Sequence, residues 1–195
     1  GCKVLNHDGT FQVACRRGFP TPWASFCKLF GLQRIFPKIK LFTQYNLNYL
    51  DENEENEVDA LIGAFMFTRS EVLDKVGGFD DTFFMYGEDL DLCYRIKQLG
   101  YRISYYPKTT IVHFKGESSK RSTLNEDKFF YEAMEIFARK HYGNSKLFFG
   151  FLKLGIKFRE LVNKLKKHKK DFVFILIDLI IVNGSLILST KLRRG

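Results

Sequence analysis

Residues 77–95 read Gly-Gly-Phe-Asp-Asp-Thr-Phe-Phe-Met-Tyr-Gly-Glu-Asp-Leu-Asp-Leu-Cys-Tyr-Arg and hold the densest group of reactive side chains in the chain. Five carboxylates lie among aromatic residues and glycines within 12 positions of this stretch. The apolar spacing from Glu88 to Leu99 predicts a helix, and Gly100 occupies the C′ position at which helices commonly end. Acids in a first helical turn are often purely structural, since the free N–H groups there stabilise negative charge.

One face of this predicted helix carries an acid in line with apolar residues. Its buried stripe consists of residues at helical spacing: Leu92, Cys93, Ile96 and Leu99. Asp89 extends the stripe at its N-terminal end, so its side chain is expected to point inward. An inward acid must be paired, metal-bound or catalytic, because an unpaired buried carboxylate is costly. Asp91 lies about 200° further round the helix, on the side of Arg95, which gives it a mainly structural role.

The rest of the chain predicts strands that alternate with helices. The predicted strands are Cys2–Leu5, Thr10–Cys15 (its hairpin partner), Val58–Thr68, Tyr101–Tyr106 and Thr109–Phe114, the last two separated by Pro107-Lys108. The other predicted helices are one or two within Trp23–Phe36, a short helix Glu71–Val76 capped by Ser70 and ended by Gly77-Gly78, and a long one over Asn125–Tyr142. This alternation indicates an α/β layer structure.

Composition and charge exclude some classes of protein and partner. The 195 residues are 45% hydrophobic and 27% charged, which predicts one sizeable core and excludes a mainly disordered chain. The net charge is +9, but residues 151–195 carry eleven Lys and Arg against three acids, a balance of +8 that leaves +1 for the body. The basic residues border a lipid-like apolar run rather than exposed aromatics, so we expect no nucleic-acid partner.

The cysteines indicate the redox state of the thiols, and the first residues indicate how the sequence begins. Four cysteines lie far apart without a C-x-x-C pair, so we expect reduced, mostly buried thiols rather than a zinc knuckle or a disulfide scaffold. The chain opens Gly-Cys-Lys-Val without an initiator Met or a signal-peptide pattern. This start is expected of a cut inside a longer protein.

Six short motifs follow one another through the body: Gly63-Ala64-Phe65-Met66, Val76-Gly77-Gly78-Phe79-Asp80, Phe84 to Leu92, Gly100-Tyr101-Arg102, Pro107 and Val112-His113. Their order and spacing resemble the second half of the catalytic domain of family 2 glycosyltransferases. Within that family the likeness is closest to rhamnosyltransferase-like members of bacterial polysaccharide and O-antigen assembly. The resemblance covers roughly residues 1–145.

The resemblance implies a partial GT-A fold, a mixed sheet flanked by helices, and a site for sugar transfer with inversion. The donor is a nucleotide diphosphate sugar, with rhamnose suggested by likeness alone, and the acceptor is a saccharide or a lipid-linked saccharide. By position in the family's Glu-Asp motif, Asp89 is the general base and Glu88 shapes the acceptor site. Further substrate contacts fall on Gly63, Ala64, Tyr86 and Asp91.

The remaining predicted site residues are those that would neutralise negative charge on the departing diphosphate. His113 matches a histidine that helps some members hold a divalent metal, Mg²⁺ or Mn²⁺, although a lone histidine at a strand end is commonly structural. Lys120 and Arg121 lie in a Gly-Ser stretch that closes over the diphosphate or is an ordinary basic loop.

The sequence also departs from the family pattern. Its nucleotide-binding half and Asp-x-Asp motif are missing from these 195 residues, and Asp89-Leu90-Asp91 stands at the base position instead. This polypeptide alone is therefore expected not to bind the nucleotide. The alternative function is a non-catalytic membrane adaptor that has lost donor binding.

Residues 146–195 form a predicted second region with a different character from the body at 1–145. Apolar residues at 4-3-4-3-4 spacing from Leu147 to Leu165 predict a basic amphipathic helix, and Phe172–Thr190 is an apolar run of 19 residues. Basic residues flank that run at both ends, which favours in-plane or re-entrant attachment over a simple span. The alternative to membrane attachment is that the apolar run is a helix buried in a protein core. We expect a place on the cytoplasmic face of the bacterial inner membrane.

Overall fold

A computed structural model describes residues 1–114, 126–143, 149, 150, 153–155 and 157. The chain divides into two compact units, Gly1–Leu152 and Lys153–Gly195. The few described residues of the second unit are helical. The predicted tail helix is described only at residues 149, 150, 153–155 and 157, which are helical. The apolar run, Lys120 and Arg121 lie outside the described residues, as does the predicted boundary between residues 145 and 146.

The first unit is built on a mixed sheet of three strands. Its strands are β1 (Cys2–Leu5), β5 (Ile103–Val112) and β3 (Asn56–Val58), in the order β1-β5-β3. Strand β1 pairs in parallel with β5, and β3 pairs antiparallel with it. A separate antiparallel pair joins β2 (Arg16–Arg17) to β4 (Ala60–Leu61), with Arg17 opposite Ala60. The mixed α/β class is confirmed.

Strand β5 runs without interruption through Pro107-Lys108, so the prediction of two separate strands is wrong. The proline is accommodated by an irregularity in the pairing: Cys2 lies opposite Tyr106, whereas Lys3 lies opposite Thr110. A proline has no N–H to donate, and such a bulge is one of the places where a strand tolerates it.

The predicted hairpin at the N-terminus is only partly right. The turn at residues 6–9 forms, with hydrogen bonds from Asn6 N to Thr10 O (2.8 Å) and from Gly9 N to Asn6 O (3.0 Å). The returning strand is reduced to a single Leu5–Phe11 bridge, followed by a 3₁₀ turn at Val13–Cys15. The chain turns away there because Arg16 and Arg17 pair with β4 instead.

The prediction of a buried strand over Val58–Thr68 is wrong beyond Leu61. The chain turns at residues 63–65, and Phe67 is 86% exposed. The physical reason lies in the hydrogen bonding: the Gly63 N–H donates to the Asp89 carboxylate rather than to a neighbouring strand.

The helices lie close to their predicted places. The described helices are α1 (Pro22–Leu29), α2 (Leu32–Ile35), α3 (Ser70–Val76), α4 (Glu88–Gln98) and α5 (Glu126–Tyr142). Thr21 caps α1 by accepting a hydrogen bond from Ala24 N (3.2 Å). Ser70 is not a cap as predicted, since it is already the first residue of α3 and Arg69 takes the cap position. Gly77 ends α3 in the left-handed conformation, as expected.

One apolar cluster joins the sheet to α4 and α5. It includes Val4, Val58 and Tyr105 of the sheet, Leu92 and Ile96 of α4, and Phe137 of α5. Leu99, which was predicted to complete the buried stripe of α4, is 50% exposed because the helix ends before it. All four cysteines are free and buried, as predicted.

Candidate active site

An ion pair between β2 and α4 organises the candidate site. Arg17 Nη2 lies 2.5 Å from Asp89 Oδ2, and both side chains are buried. The same nitrogen donates to Leu61 O at 3.1 Å, which ties the pair to β4. Burial alone would lower the pKa of Arg17, but attraction to the Asp89 carboxylate outweighs it, so the pKa lies above its ordinary value.

The two oxygens of Asp89 are used unequally. Oδ2 accepts from Arg17 and also from Gly63 N at 3.0 Å. Oδ1 accepts only the Leu90 N–H, at 2.7 Å, among the described residues. The predicted inward orientation of Asp89 is confirmed, since the residue is 6% exposed.

Arg17 is not among the site residues predicted from the sequence, because Gly18, Pro20 and Pro22 directly follow it and indicate irregular structure there. The signal that points to it is chemical: a carboxylate predicted to face inward needs a cation, and Arg16-Arg17 follows an apolar segment.

Glu88 stands at the first position of α4 and keeps unused hydrogen-bonding capacity. Its Oε2 is buried and has no hydrogen-bond partner in the described part of the chain. Burial raises the pKa of Glu88 above its ordinary value, and the charge of Asp89 adds to that rise. The buried Tyr45 hydroxyl lies beside the Arg17 guanidinium and interacts with it. Buried polar atoms are almost always paired, so the unpartnered Glu88 Oε2 suggests a place for a polar ligand.

These atoms belong to residues that line one cavity of about 770 Å³. Six of the sequence-predicted site residues line it together: Gly63, Ala64, Tyr86, Glu88, Asp89 and His113. The volume suits a substrate of small-molecule size, and polar groups converge on a wall that is otherwise largely apolar.

Tyr86 and Gly87 form an unusual bend at the entry to α4. Both residues have positive φ angles, +67° and +87°. A Cβ on Gly87 would lie 2.9 Å from Phe83 Cδ1, so the glycine is required there. A left-handed tyrosine is strained, and such residues concentrate at functional sites.

Asp91 lies away from the cavity, in contact with α5. It is fully buried and paired with two cations, Arg95 Nε at 2.8 Å and Lys140 Nζ at 2.8 Å, and His141 Nε2 lies 2.6 Å from its Oδ1. Burial opposes its ionisation, but these partners outweigh burial and lower its pKa to about 2. The structural role expected from helix geometry is observed, and Asp91 is absent from the residues that line the cavity.

The tautomer of His113 follows from a chain of hydrogen bonds. Thr10 donates to Asp8 Oδ1 (2.6 Å), and Asn6 Nδ2 donates to Thr10 Oγ1 (2.9 Å). Gln12 Nε2 donates to Asn6 Oδ1 (3.2 Å), and its Oε1 lies 2.9 Å from His113 Nδ1. Because a carboxylate can only accept, every link has a fixed direction and His113 Nδ1 carries the proton. The Nε2 of the neutral ring is therefore left with a lone pair.

This nitrogen is a metal donor on a residue that lines the cavity, as is the unpartnered Glu88 Oε2. The described chain contains no group of three or more His, Cys, Asp or Glu side chains that could hold a metal ion. Asp89 is committed to Arg17. The described residues therefore fit part of the coordination shell of a divalent ion and not a complete metal site.

Comparison with known proteins agrees with this geometry. Residues 43–128 match the model of a family described as "Glycosyltransferase like family 2". The match spans Tyr45, Gly63, Glu88, Asp89 and His113, and leaves out Arg17 and Gln12. Residues 43–128 are therefore similar to part of a family 2 glycosyltransferase.

Two named proteins are similar to this chain over part of its length. An N-acetylglucosaminyl-diphospho-decaprenol L-rhamnosyltransferase of Mycobacterium tuberculosis is 32% identical over 109 residues, which cover 55% of this chain and 35% of that protein. Rhamnosyltransferase WbbL of Escherichia coli K12 is 42% identical over 57 residues, 29% of this chain and 22% of that protein. The match thus spans about a third or less of each relative. No solved structure matches the chain. Within the described residues, no helix is both long and apolar enough to cross a membrane.

Proposed function

We propose that this chain is the acceptor-side part of an inverting glycosyltransferase that uses a nucleotide diphosphate sugar. The observation that carries the proposal is the cavity in which Asp89 and the unpartnered Glu88 Oε2 meet, inside a segment of the matching family. The names of the relatives favour rhamnose as the sugar and a lipid-linked saccharide as the acceptor.

The reaction needs a group that accepts a proton. The acceptor hydroxyl attacks the anomeric carbon, a new C–O bond forms, and the bond to the donor phosphate breaks with its electron pair on the departing diphosphate. The hydroxyl proton passes to Asp89 as the new bond forms. Because Oδ2 is held by Arg17 and Gly63, Oδ1 is the oxygen that accepts it.

The neighbouring residues position the reactants in this proposal. Glu88 accepts a hydrogen bond from the acceptor through Oε2, while Gly63, Ala64 and Tyr86 form the wall against which the acceptor lies. Arg17 is a positioning residue, since it holds Asp89 through their ion pair. Lys120 and Arg121 contact the diphosphate.

His113 offers its Nε2 as one ligand of a divalent metal, Mg²⁺ or Mn²⁺, whose other ligands come from outside the described residues. Such an ion, when bound, neutralises charge on the departing diphosphate. We place the protein at the cytoplasmic face of the bacterial inner membrane, with residues 146–195 on the membrane surface.

Transfer by the full-length gene product tests this assignment of roles. A panel of nucleotide sugars is supplied with membranes, with and without Mg²⁺ or Mn²⁺, to wild type, Asp89→Asn and Glu88→Gln. We expect Asp89→Asn to lower kcat by about 10²- to 10⁴-fold with nucleotide binding retained, as expected for loss of a general base. Glu88→Gln should mainly raise KM for the acceptor.

The matched control is Asp81→Asn, which alters an exposed carboxylate in the same loop and should leave transfer unchanged. Full activity of Asp89→Asn with loss in Glu88→Gln would reverse the two roles. Absence of nucleotide-sugar binding at full length would overturn the proposal in favour of a membrane adaptor.

A further inference from the structure

An exposed apolar segment lies apart from the candidate site. Residues 34–41, Arg-Ile-Phe-Pro-Lys-Ile-Lys-Leu, are all exposed and run from α2 into the following turns. Ile35 is 65% exposed, and Phe36, Ile39 and Leu41 are each 41% or more exposed. Four large apolar side chains within seven positions form a patch that a soluble surface rarely shows without a partner.

Positive charge is interleaved with these apolar side chains. Arg34, Lys38 and Lys40 alternate with them, and no Asp or Glu occurs between Gly9 and Leu50. None of the three cations forms an ion pair with another residue in the part of the chain that the structure describes. The segment therefore presents apolar groups and unneutralised cations together.

Aromatic contacts hold the segment in place against α1. The Trp23 indole N–H donates to Leu41 O at 2.8 Å. The Phe42 ring lies 6.2 Å from the Trp23 ring and 5.0 Å from the Phe36 ring, measured between centroids. Trp23 is itself 40% exposed beside the segment. The exposed side chains thus project from an anchored turn.

The residue composition of the patch indicates which class of partner it binds. Cores of protein interfaces are depleted in lysine, which argues against a protein partner. Single-stranded nucleic acid is bound by stacking on aromatic rings, whereas Ile35, Ile39 and Leu41 are aliphatic. An anionic bilayer takes apolar side chains at its acyl boundary, lysine and arginine at its phosphates, and tryptophan at the level of the headgroups.

We propose that Trp23 and residues 34–41 form a docking surface for an anionic lipid bilayer, separate from the predicted contact of residues 146–195. Helix α1 bears Trp23 and also Lys28, which lines the cavity. Docking therefore brings the helix that borders the cavity to the lipid. That last step, access to a lipid-linked acceptor, rests on the proposed function, whereas lipid binding by the surface does not.

The single tryptophan of the chain provides a local readout. The 195-residue chain is mixed with vesicles of phosphatidylcholine alone or with 30% phosphatidylglycerol, and Trp23 emission is recorded together with co-sedimentation. We expect a blue shift with the anionic vesicles and quenching by brominated lipid. Sedimentation with unchanged Trp23 emission would mean binding by residues 146–195 alone and would overturn the proposal.

Two variants separate the apolar and charged contributions. Arg34→Gln/Lys38→Gln/Lys40→Gln should weaken binding to anionic vesicles by about 100-fold, at about fivefold for each cation. Ile35→Ser/Ile39→Ser should abolish the blue shift. The matched controls are Arg69→Gln/Arg102→Gln/Lys108→Gln, three exposed cations elsewhere, and Phe67→Ser, an exposed apolar residue.

Far-UV circular dichroism checks that each variant is folded. Equal loss in patch and control variants would overturn the proposal, because general charge would then explain the binding. So would a blue shift with a single-stranded oligonucleotide in place of vesicles, which would assign the patch to nucleic acid. Because the readout is lipid binding, neither result depends on glycosyl transfer.

Discussion

The two sides of helix α4 carry buried acids with different surroundings. On one side Asp91 belongs to a group of paired side chains that we call the closed cluster: Asp91, Arg95, Lys140 and His141. Both carboxylate oxygens of Asp91 have partners in this cluster. On the other side Asp89 belongs to the open cluster, which borders the cavity: Arg17, Tyr45, Glu88 and Asp89.

Burial and ion pairing do not distinguish these clusters, since Asp89 and Asp91 are both buried and both paired with arginine. Unused hydrogen-bonding capacity does. In the open cluster Glu88 Oε2 has no hydrogen-bond partner among the described residues, whereas the buried atoms of the closed cluster are satisfied. A site for a ligand is better recognised by what its polar groups still lack than by how deeply they lie.

The largest expected effect separates the clusters by folding stability. Asp91→Ala leaves Arg95, Lys140 and His141 facing one another without their carboxylate, and should lower the free energy of unfolding by about 3 kcal/mol. Glu88→Gln in the open cluster should change it by less than about 0.5 kcal/mol, since Oε2 has no partner to lose. Urea unfolding followed by circular dichroism measures both, with Asp81→Ala as the exposed control. Equal losses in Asp91→Ala and Glu88→Gln would erase the distinction.

A second expected effect is the response of the closed cluster to acid. The folded pKa of Asp91 is about 2, below the ordinary value of 3.8, so unfolding takes up a proton between these pH values. Its stabilisation is therefore complete above about pH 5 and is lost as the pH falls towards 2, a loss of about 2 kcal/mol.

Urea unfolding at pH 6 and at pH 2.5 tests this effect. The difference between the two values should be smaller by that amount in Asp91→Asn, which has no carboxyl proton to bind. A variant that is as acid-sensitive as the wild type would show that other carboxyls carry the response.

The smallest expected effect concerns the edge of the cavity, where Gln12 fixes the His113 tautomer. Gln12→Leu removes the acceptor for Nδ1–H and should cost about 1 kcal/mol in stability. Long-range ¹H–¹⁵N NMR at pH 8 should show His113 as the Nδ1–H form in wild type and as a mixture with the Nε2–H form in the variant. Gln98→Leu, at an exposed glutamine, is the control, and His113→Gln assigns the signal. An Nε2–H ring in wild type would contradict the hydrogen-bond chain.

Local rules predicted the part of the site that lies on one helix. The 3.6-residue period predicted the inward Asp89 and the pairing of Asp91 with Arg95 on another side of the helix, and glycine geometry predicted the ends of α3 and α4. These features depend only on neighbours along the chain. They account for the placement of Asp89 and Asp91 on different sides of α4.

Contacts between distant segments were not predictable in this way. Arg17 pairs with Asp89 because β2 joins β4, a pairing of two residues that is too short to leave a pattern. The apolar content of Val58–Thr68 resembled that of a buried strand, but the Asp89 carboxylate captures the Gly63 N–H and turns the chain. Pro107 suggested a break, yet a bulge absorbs it within β5.

The ion pair between Arg17 and Asp89 joins residues 72 positions apart, which makes the site a product of late folding. Long loops are slow to close, because the chain loses entropy before distant contacts stabilise it. The acids of α4 are neighbours along the chain, whereas the cation of Asp89 comes from the distant strand β2. The catalytic geometry proposed here therefore arises only when β2 reaches β4, so a chain that stalls before that step holds its acids but has no working site.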